Sequence, residues 1–123
     1  MVFFFLYEEK AIQMESLKKN SDFQNVYKKG KSKANRQFVM MILPNDSERN
    51  RIGIAVSKKV GNSVVRHRVA RLIRESIRLN EQKMYTGYDI VLTARRGAAD
   101  ADYHQVYRSI MHLAGLHRIL KEE

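Results

Sequence analysis

The sequence predicts an α+β domain in which helices pack on a small mixed sheet. Three observations lead there. Apolar residues recur at helical spacing in three segments, with short β-type runs between them. Capping pairs stand where helices should open, at Ser21 with Gln24 and at Asp102 with Gln105. The 123 residues, 44% of them hydrophobic, hold a single proline, Pro44, and no internal repeat, which fits one domain with one modest core, expected over residues 15–123.

Residues 1–14 stand apart from this pattern. Val2 to Tyr7 form an apolar run far too short to span a bilayer, and Glu8 and Glu9 follow at once, so neither a transmembrane helix nor a secretory signal is expected. The stretch reads as a disordered extension, or as the product of a start codon assigned ahead of Met14. With no cysteine there are no disulfides, thiolate metal sites or cysteine nucleophiles, which fits a cytoplasmic protein.

The elements follow in order. Ser21 to Lys29 makes a short helix, because Phe23, Val26 and Tyr27 recur at i, i+3 and i+4 before Gly30 ends it. Gln37 to Leu43 is a strand apolar on both sides, with Phe38, Met40 and Ile42 on one and Val39, Met41 and Leu43 on the other, so both faces are expected to be covered. Pro44-Asn45-Asp46-Ser47 turns the chain into an expected antiparallel partner, where Ile52, Ile54 and Val56 alternate with Gly53, Ala55 and Ser57. Those small residues would leave a shallow open surface. A helix capped by Asn62 or Ser63 runs to about Asn80, and Tyr88 to Ala94 is a strand with Ile90, Leu92 and Ala94 inward. Asp102 opens the final helix, expected to reach about Leu120, with Val106, Ile110, Leu113, Leu116 or His117, and Leu120 as its buried stripe.

The helix after Asn62 carries the most chemistry. At about 100° per residue, Val65, Val69, Leu72, Ile73, Ile77 and Leu79 gather in one arc, and His67, Arg71, Arg74 and Arg78 fall opposite. Arg66 and Arg68 flank the apolar arc, while Lys58 and Lys59 precede the Gly61-Asn62 turn. A helix start already bears partial positive charge, so cations concentrated there repel one another and oppose the dipole. They suit an external polyanion. The net charge of +10 has the same origin: residues 57–78 and residues 18–36 each hold seven basic residues and one acidic, which accounts for the whole excess. Nucleic acid is the favoured partner, ahead of a membrane surface or an acidic protein. The exposed face is nearly all cation, which suits phosphates better than base edges.

Protein-borne catalysis is not indicated. His67, His104, His112 and His117 lack metalloprotease spacing, no Ser/His/Asp set or glycine-rich phosphate loop assembles, and the acidic residues sit in turns or at a helix start. No catalytic residue and no protein metal site is assigned.

The run Lys58-Lys59-Val60-Gly61-Asn62-Ser63-Val64-Val65-Arg66-His67-Arg68-Val69-Ala70-Arg71-Leu72-Ile73-Arg74-Glu75 resembles the arginine motif of the protein subunit of bacterial ribonuclease P. Leu17 to Gly30 and Ala34 to Val39 resemble two further motifs in the family's order, so the resemblance covers about residues 15–120. It implies a small mixed four-stranded sheet with three helices, in the order α-β-β-β-α-β-α. It also implies a left-handed β-α-β crossover, as in ribosomal-protein-like RNA-binding domains, although physics alone favours the right-handed form. The function implied is that of an endoribonuclease acting as a ribonucleoprotein, which removes the 5′ leader of precursor tRNA. Its catalytic centre, and the Mg2+ it uses, belong mainly to the RNA. The partners implied are the catalytic RNA and precursor tRNA, with no membrane and no small-molecule substrate.

By the same resemblance, Lys58, Lys59, Asn62, Arg66, His67, Arg68, Arg71 and Arg74 contact the catalytic RNA, and Phe23, Tyr27, Arg36, Phe38, Val39 and Met41 line the leader cleft. The division suits the chemistry, since guanidinium forks bridge phosphate oxygens and unpaired bases stack on aromatic faces. Taken alone, Phe23 and Tyr27 would read as core residues. The chain departs from the family pattern at His67, where asparagine is usual, at Ala70, commonly basic, and at Met41, often tyrosine, where apolar contact would replace stacking. The rival readings are a ribosomal or other structural RNA-binding protein and, more weakly, a DNA-binding regulator.

Overall fold

The computed structural model describes residues 15–121. The expectation for residues 1–14 therefore lies outside the described residues. Five strands form one mixed sheet: β1 (Glu15–Ser16), β2 (Lys31–Ala34), β3 (Phe38–Pro44), β4 (Arg51–Ala55) and β5 (Tyr88–Ala94). Three helices accompany it: α1 (Asn20–Lys29), α2 (Ser63–Asn80) and α3 (Tyr103–Leu116). The α+β class and the three helices are as expected, but the sheet has five strands rather than four. The added one is the two-residue β1, parallel to β4 and too short to show any alternation.

The larger correction concerns strand partners. β4 is not the antiparallel neighbour of β3; the order is β1-β4-β5-β3-β2, and β5 lies between them, parallel to β4 and antiparallel to β3. The physical reason is burial. Asp89, Ile90, Val91 and Leu92 are all buried, so β5 supplies apolar side chains to both faces and takes the centre. β4 offers Gly53 and Ala55 on its second face and is placed further out. A parallel neighbour needs a crossover, and α2 provides it. The loop from β3 to β4 is tied to the start of β5: Asn45 N–H donates to the Gly87 carbonyl at 2.9 Å, and Tyr88 N–H donates to Asn50 Oδ1 at 2.8 Å.

The sheet separates two cores. On one face α2 and α3 cover Phe38, Met40, Ile42, Ile52, Ile90 and Leu92 with Val69, Ile73, Ile77, Val106, Ile110 and Leu113. On the other, α1 lays Val26 against Leu17 and Val91, with Phe23, Met41 and Leu43 packed around them. Val39, Met41 and Leu43 are only half-buried, so the expectation that β3 is covered on both faces holds fully for one of them.

Capping follows the sequence signals unevenly. Asn62 caps α2, its side chain accepting from Val65 N–H at 3.0 Å, and Asp102 and Gln105 form the reciprocal capping box of α3. The Ser21/Gln24 pair does not cap α1, whose helix starts a residue earlier behind Lys19 with no side-chain cap. α3 ends at Leu116, four residues short of the expected limit, and Arg118 turns the backbone at φ 61°. Leu116 and Leu79 point outward, and His117 takes the inward place, with Nε2 2.9 Å from the Met40 carbonyl.

Candidate nucleic-acid interface

Two surfaces emerge on opposite sides of the sheet. The first is built by α2. Val69, Ile73 and Ile77 anchor it to the main core and turn the helix's other side outward. Ser63, Val64, His67, Arg68, Arg71 and Arg74 line an open depression of about 590 Å³ along that side. Its backbone spacing is i, i+4, i+8 and i+11 for Ser63, His67, Arg71 and Arg74, one stripe of the helix. His67 and Arg71 are exposed, and so are Lys58 and Lys59 in the turn that leads from β4 to the helix. Among the described residues no ion pair involves Lys58, Lys59, Arg66 or Arg71, whereas Arg78, further along, is paired with Glu75. The cationic charge at the start of α2 is thus uncompensated by the fold.

The eight residues assigned to this surface do not play equal parts. Lys58, Lys59, His67 and Arg71 present their side chains to solvent, and Arg74 lines the depression half-buried. Arg66 is half-buried, with its Nε shielded from solvent and unpartnered. Asn62 is exposed, but its side-chain oxygen is occupied as the helix cap. Arg68 donates to the backbone carbonyl of Ala99, so part of its guanidinium is committed within the protein. The sequence reading weighed Ser63 only as a cap and assigned neither it nor Val64 to this surface, and the two complete the depression. Val64, 76% exposed at the first turn, could have been suspected as an apolar residue off the buried arc.

The second surface is the uncovered part of the sheet beside α1. Strand register places Ala34, Val39, Thr93 and Ala55 in one row across β2, β3, β5 and β4. Ser32, Met41, Val91 and Gly53 form the next row, partly beneath α1. The floor of the first row is small and half-open. At Gly53 an added Cβ would come within 2.6 Å of the Phe23 ring, so the missing side chain is what lets α1 sit this low. Phe23 is half-buried there, and Tyr27 stands at the rim, 40% exposed, with ring centroids 6.4 Å apart.

Of the six residues assigned to this groove, Tyr27, Val39, Met41 and, at its inner wall, Phe23 share this face of the sheet. Arg36 is exposed in the turn between β2 and β3. Phe38 is a correction: it is fully buried under α2 and α3 on the opposite face, because alternation along β3 sends it the other way from Val39. A side chain with no exposed surface cannot stack on a base.

On this face of the sheet an ion pair that the sequence reading missed ties β4 to β5 and to the start of α1. Arg51 donates from Nε to Asp89 Oδ1 at 2.8 Å and from Nη2 to Oδ2 at 2.6 Å, and also lies 3.6 Å from Asp22 in the first turn of α1. Asn45 donates to Asp89 Oδ1 at 2.9 Å. Burial alone would push the Asp89 carboxyl up, but the hydrogen bonds from Arg51 and Asn45 and the guanidinium charge outweigh it and hold the group below the ordinary value. No signal in the sequence joins residues 38 apart on two parallel strands.

Among the described residues there is no group of three or more His, Asp or Glu side chains able to hold a metal ion, and no helix long and apolar enough to cross a membrane. The Ribonuclease P family model matches residues 13–118. The chain belongs to the ribonuclease P protein family. It is 55% identical over 106 residues to a ribonuclease P protein component from Lachnoclostridium phytofermentans, covering 86% of this chain and 91% of that one. The fold agrees with the RNase P protein of Staphylococcus aureus, at 39% identity and TM-score 0.79, covering 86% of this chain and 97% of the other. It also agrees with that of Thermotoga maritima, at 31% identity and TM-score 0.77, covering 87% and 99%. The family's role is 5′ maturation of tRNA as the protein part of an endoribonuclease holoenzyme, and this chain is such a subunit. Membership sets aside both the ribosomal and the DNA-regulator readings.

Proposed function

We propose that this ribonuclease P protein grips the catalytic RNA with the Lys58–Lys59 turn and the outward side of α2, and holds the single-stranded 5′ leader of precursor tRNA in the groove beside α1. The observation that supports this most directly is the separation of two chemistries by one sheet. On one side stand Lys58, Lys59 and Arg71, which make no ion pair among the described residues; on the other lie a shallow apolar floor and a half-exposed tyrosine. Folded RNA offers phosphates to the first, and an unpaired leader offers base faces to the second.

In this reading the protein's residues bind and orient, and cleavage is left to the RNA. Arg71 and His67 meet phosphate oxygens; Tyr27 and Val39 contact leader bases; Arg36 neutralises leader phosphates at the groove's end. In this proposal Mg2+ is held mainly by the RNA, and no step assigned to this chain runs through the ion. The complex works in the cytoplasm, with RNA rather than a membrane or a small molecule as its partner.

Reconstitution tests the proposal. Adding this chain to a bacterial ribonuclease P RNA at low magnesium should restore precursor cleavage, and failure to do so would reject the pairing. Tyr27→Ala should weaken binding of precursor with a leader by roughly 5- to 150-fold, from about 1–3 kcal/mol of base stacking. Mature tRNA, which has no leader, should bind as before; equal losses for both would remove Tyr27 from the groove's function.

A further inference from the structure

We infer that Arg68, although it belongs to the arginine motif, is a positioning residue that fixes the cationic side of α2 to the turn after β5, and that it is not itself a phosphate ligand. The inference rests on the RNA-binding reading of α2 above and refines it.

The geometry sets Arg68 apart from its neighbours. It lines the depression and shares half-burial and a shielded Nε with Arg66, but its Nη2 donates to the Ala99 carbonyl, a backbone tie seen at neither Arg66 nor the exposed Arg71 among the described residues. The segment that receives it is itself fixed on several sides. Arg95 N–H donates to the Gln37 carbonyl at 2.8 Å, and its guanidinium donates to the Asn35 carbonyl at 2.8 Å. Gly97 lies so close to the β2–β3 turn that an added Cβ would come within 2.6 Å of the Arg36 carbonyl oxygen. Ala98 and Ala101 are buried in the core, and Asp102 at once caps α3. Residues 95–102 therefore contact the hairpin that carries Arg36, the start of α3 and, through Arg68, the second turn of α2. Arg68 links the RNA-gripping helix to the hairpin beside the leader groove.

A planar fork held by a backbone carbonyl loses more than charge when it is changed. A phosphate ligand and a strut consequently respond differently to salt. Removing a ligand lowers the slope of log affinity against log salt by about 0.7–0.9, because one fewer counterion is released. Removing a strut weakens binding at every salt concentration and leaves the slope unchanged.

The experiment titrates the catalytic RNA with the full chain at several salt concentrations, comparing wild type, Arg68→Ala, Arg68→Lys and Arg71→Ala. Thermal melts check that each variant folds. Arg68→Ala should lose roughly 3- to 30-fold in affinity at unchanged slope, and Arg71→Ala should lower the slope by about 0.7–0.9. Arg68→Lys keeps the charge but lacks the fork, so it should bind as poorly as Arg68→Ala. A lowered slope for Arg68→Ala, or wild-type binding by Arg68→Lys, would overturn the inference; the lysine result decides alone if the alanine variant does not fold. Should Arg71→Ala leave both slope and affinity unchanged, the RNA-binding reading of α2 fails instead.

Discussion

Replacing Asp89 by asparagine tests whether the Arg51 pair holds α1 and the sheet in register. Asp89 is buried at 3% exposure and accepts three hydrogen bonds, two from Arg51 and one from Asn45. The amide keeps the shape but removes the charge and turns one acceptor into a donor facing Arg51. Orphaning one partner of a buried pair costs about 3–5 kcal/mol. Arg51, however, keeps a third of its side chain in solvent and retains Asp22 at 3.6 Å, so part of the penalty is relieved, leaving an expected loss of about 2–3 kcal/mol. With a urea m-value of about 1–3 kcal/mol/M, the midpoint should fall by about 0.7–3 M in melts followed by circular dichroism.

The pH dependence of that loss gives a second check. The carboxyl is held below its ordinary value of 3.8 in the folded chain, so as pH falls the unfolded chain takes up the proton first. The stability it provides is present above that value and disappears as pH drops through the lower native one. The gap between wild type and Asp89→Asn should stay constant from about pH 8 to 5 and shrink below about pH 4. A loss under about 0.5 kcal/mol at pH 7, or a gap that does not close in acid, would refute the argument.

Two further substitutions probe single features. Ser76 is fully buried on α2 with a hydroxyl that finds no partner, so Ser76→Ala should raise stability by about 1 kcal/mol in the same melts; a loss would mean the hydroxyl is satisfied. Gly53→Val pushes a branched side chain into the space of the Phe23 ring, so it should cost about 1–3 kcal/mol and reduce discrimination between precursor and mature tRNA, and intact discrimination would disconnect the groove floor from leader binding.

Local rules read well where one element answers to itself. The α2 arc from Val65 to Ile77, the Asn62 cap and the Asp102/Gln105 box were all legible, because helical period and capping depend only on neighbours a turn away. So was the cationic opposite side, which arithmetic over residues 57–78 exposes directly. Small residues in β4 likewise announced a shallow surface, though not which element would border it. The left-behind errors share a cause. Ser21 and Gln24 matched a cap motif that α1 did not use, and Leu79 fitted the apolar arc yet stayed exposed while Ile77 and Asn80 beside it are buried, so in both cases the tertiary packing did not use a pattern that was locally sound.

What the sequence determined by itself was the α+β class, the identity of the cationic helix and the polyanionic character of its partner, since charge and periodicity are written along the chain. Only the tertiary structure decided that β5 separates β3 from β4, that Phe38 faces away from the groove while Val39 lines it, and that Arg68 meets the Ala99 carbonyl while Arg71 stays exposed. Each of these depends on which distant segment wins the centre of the sheet, a competition between burial energies that no local pattern records.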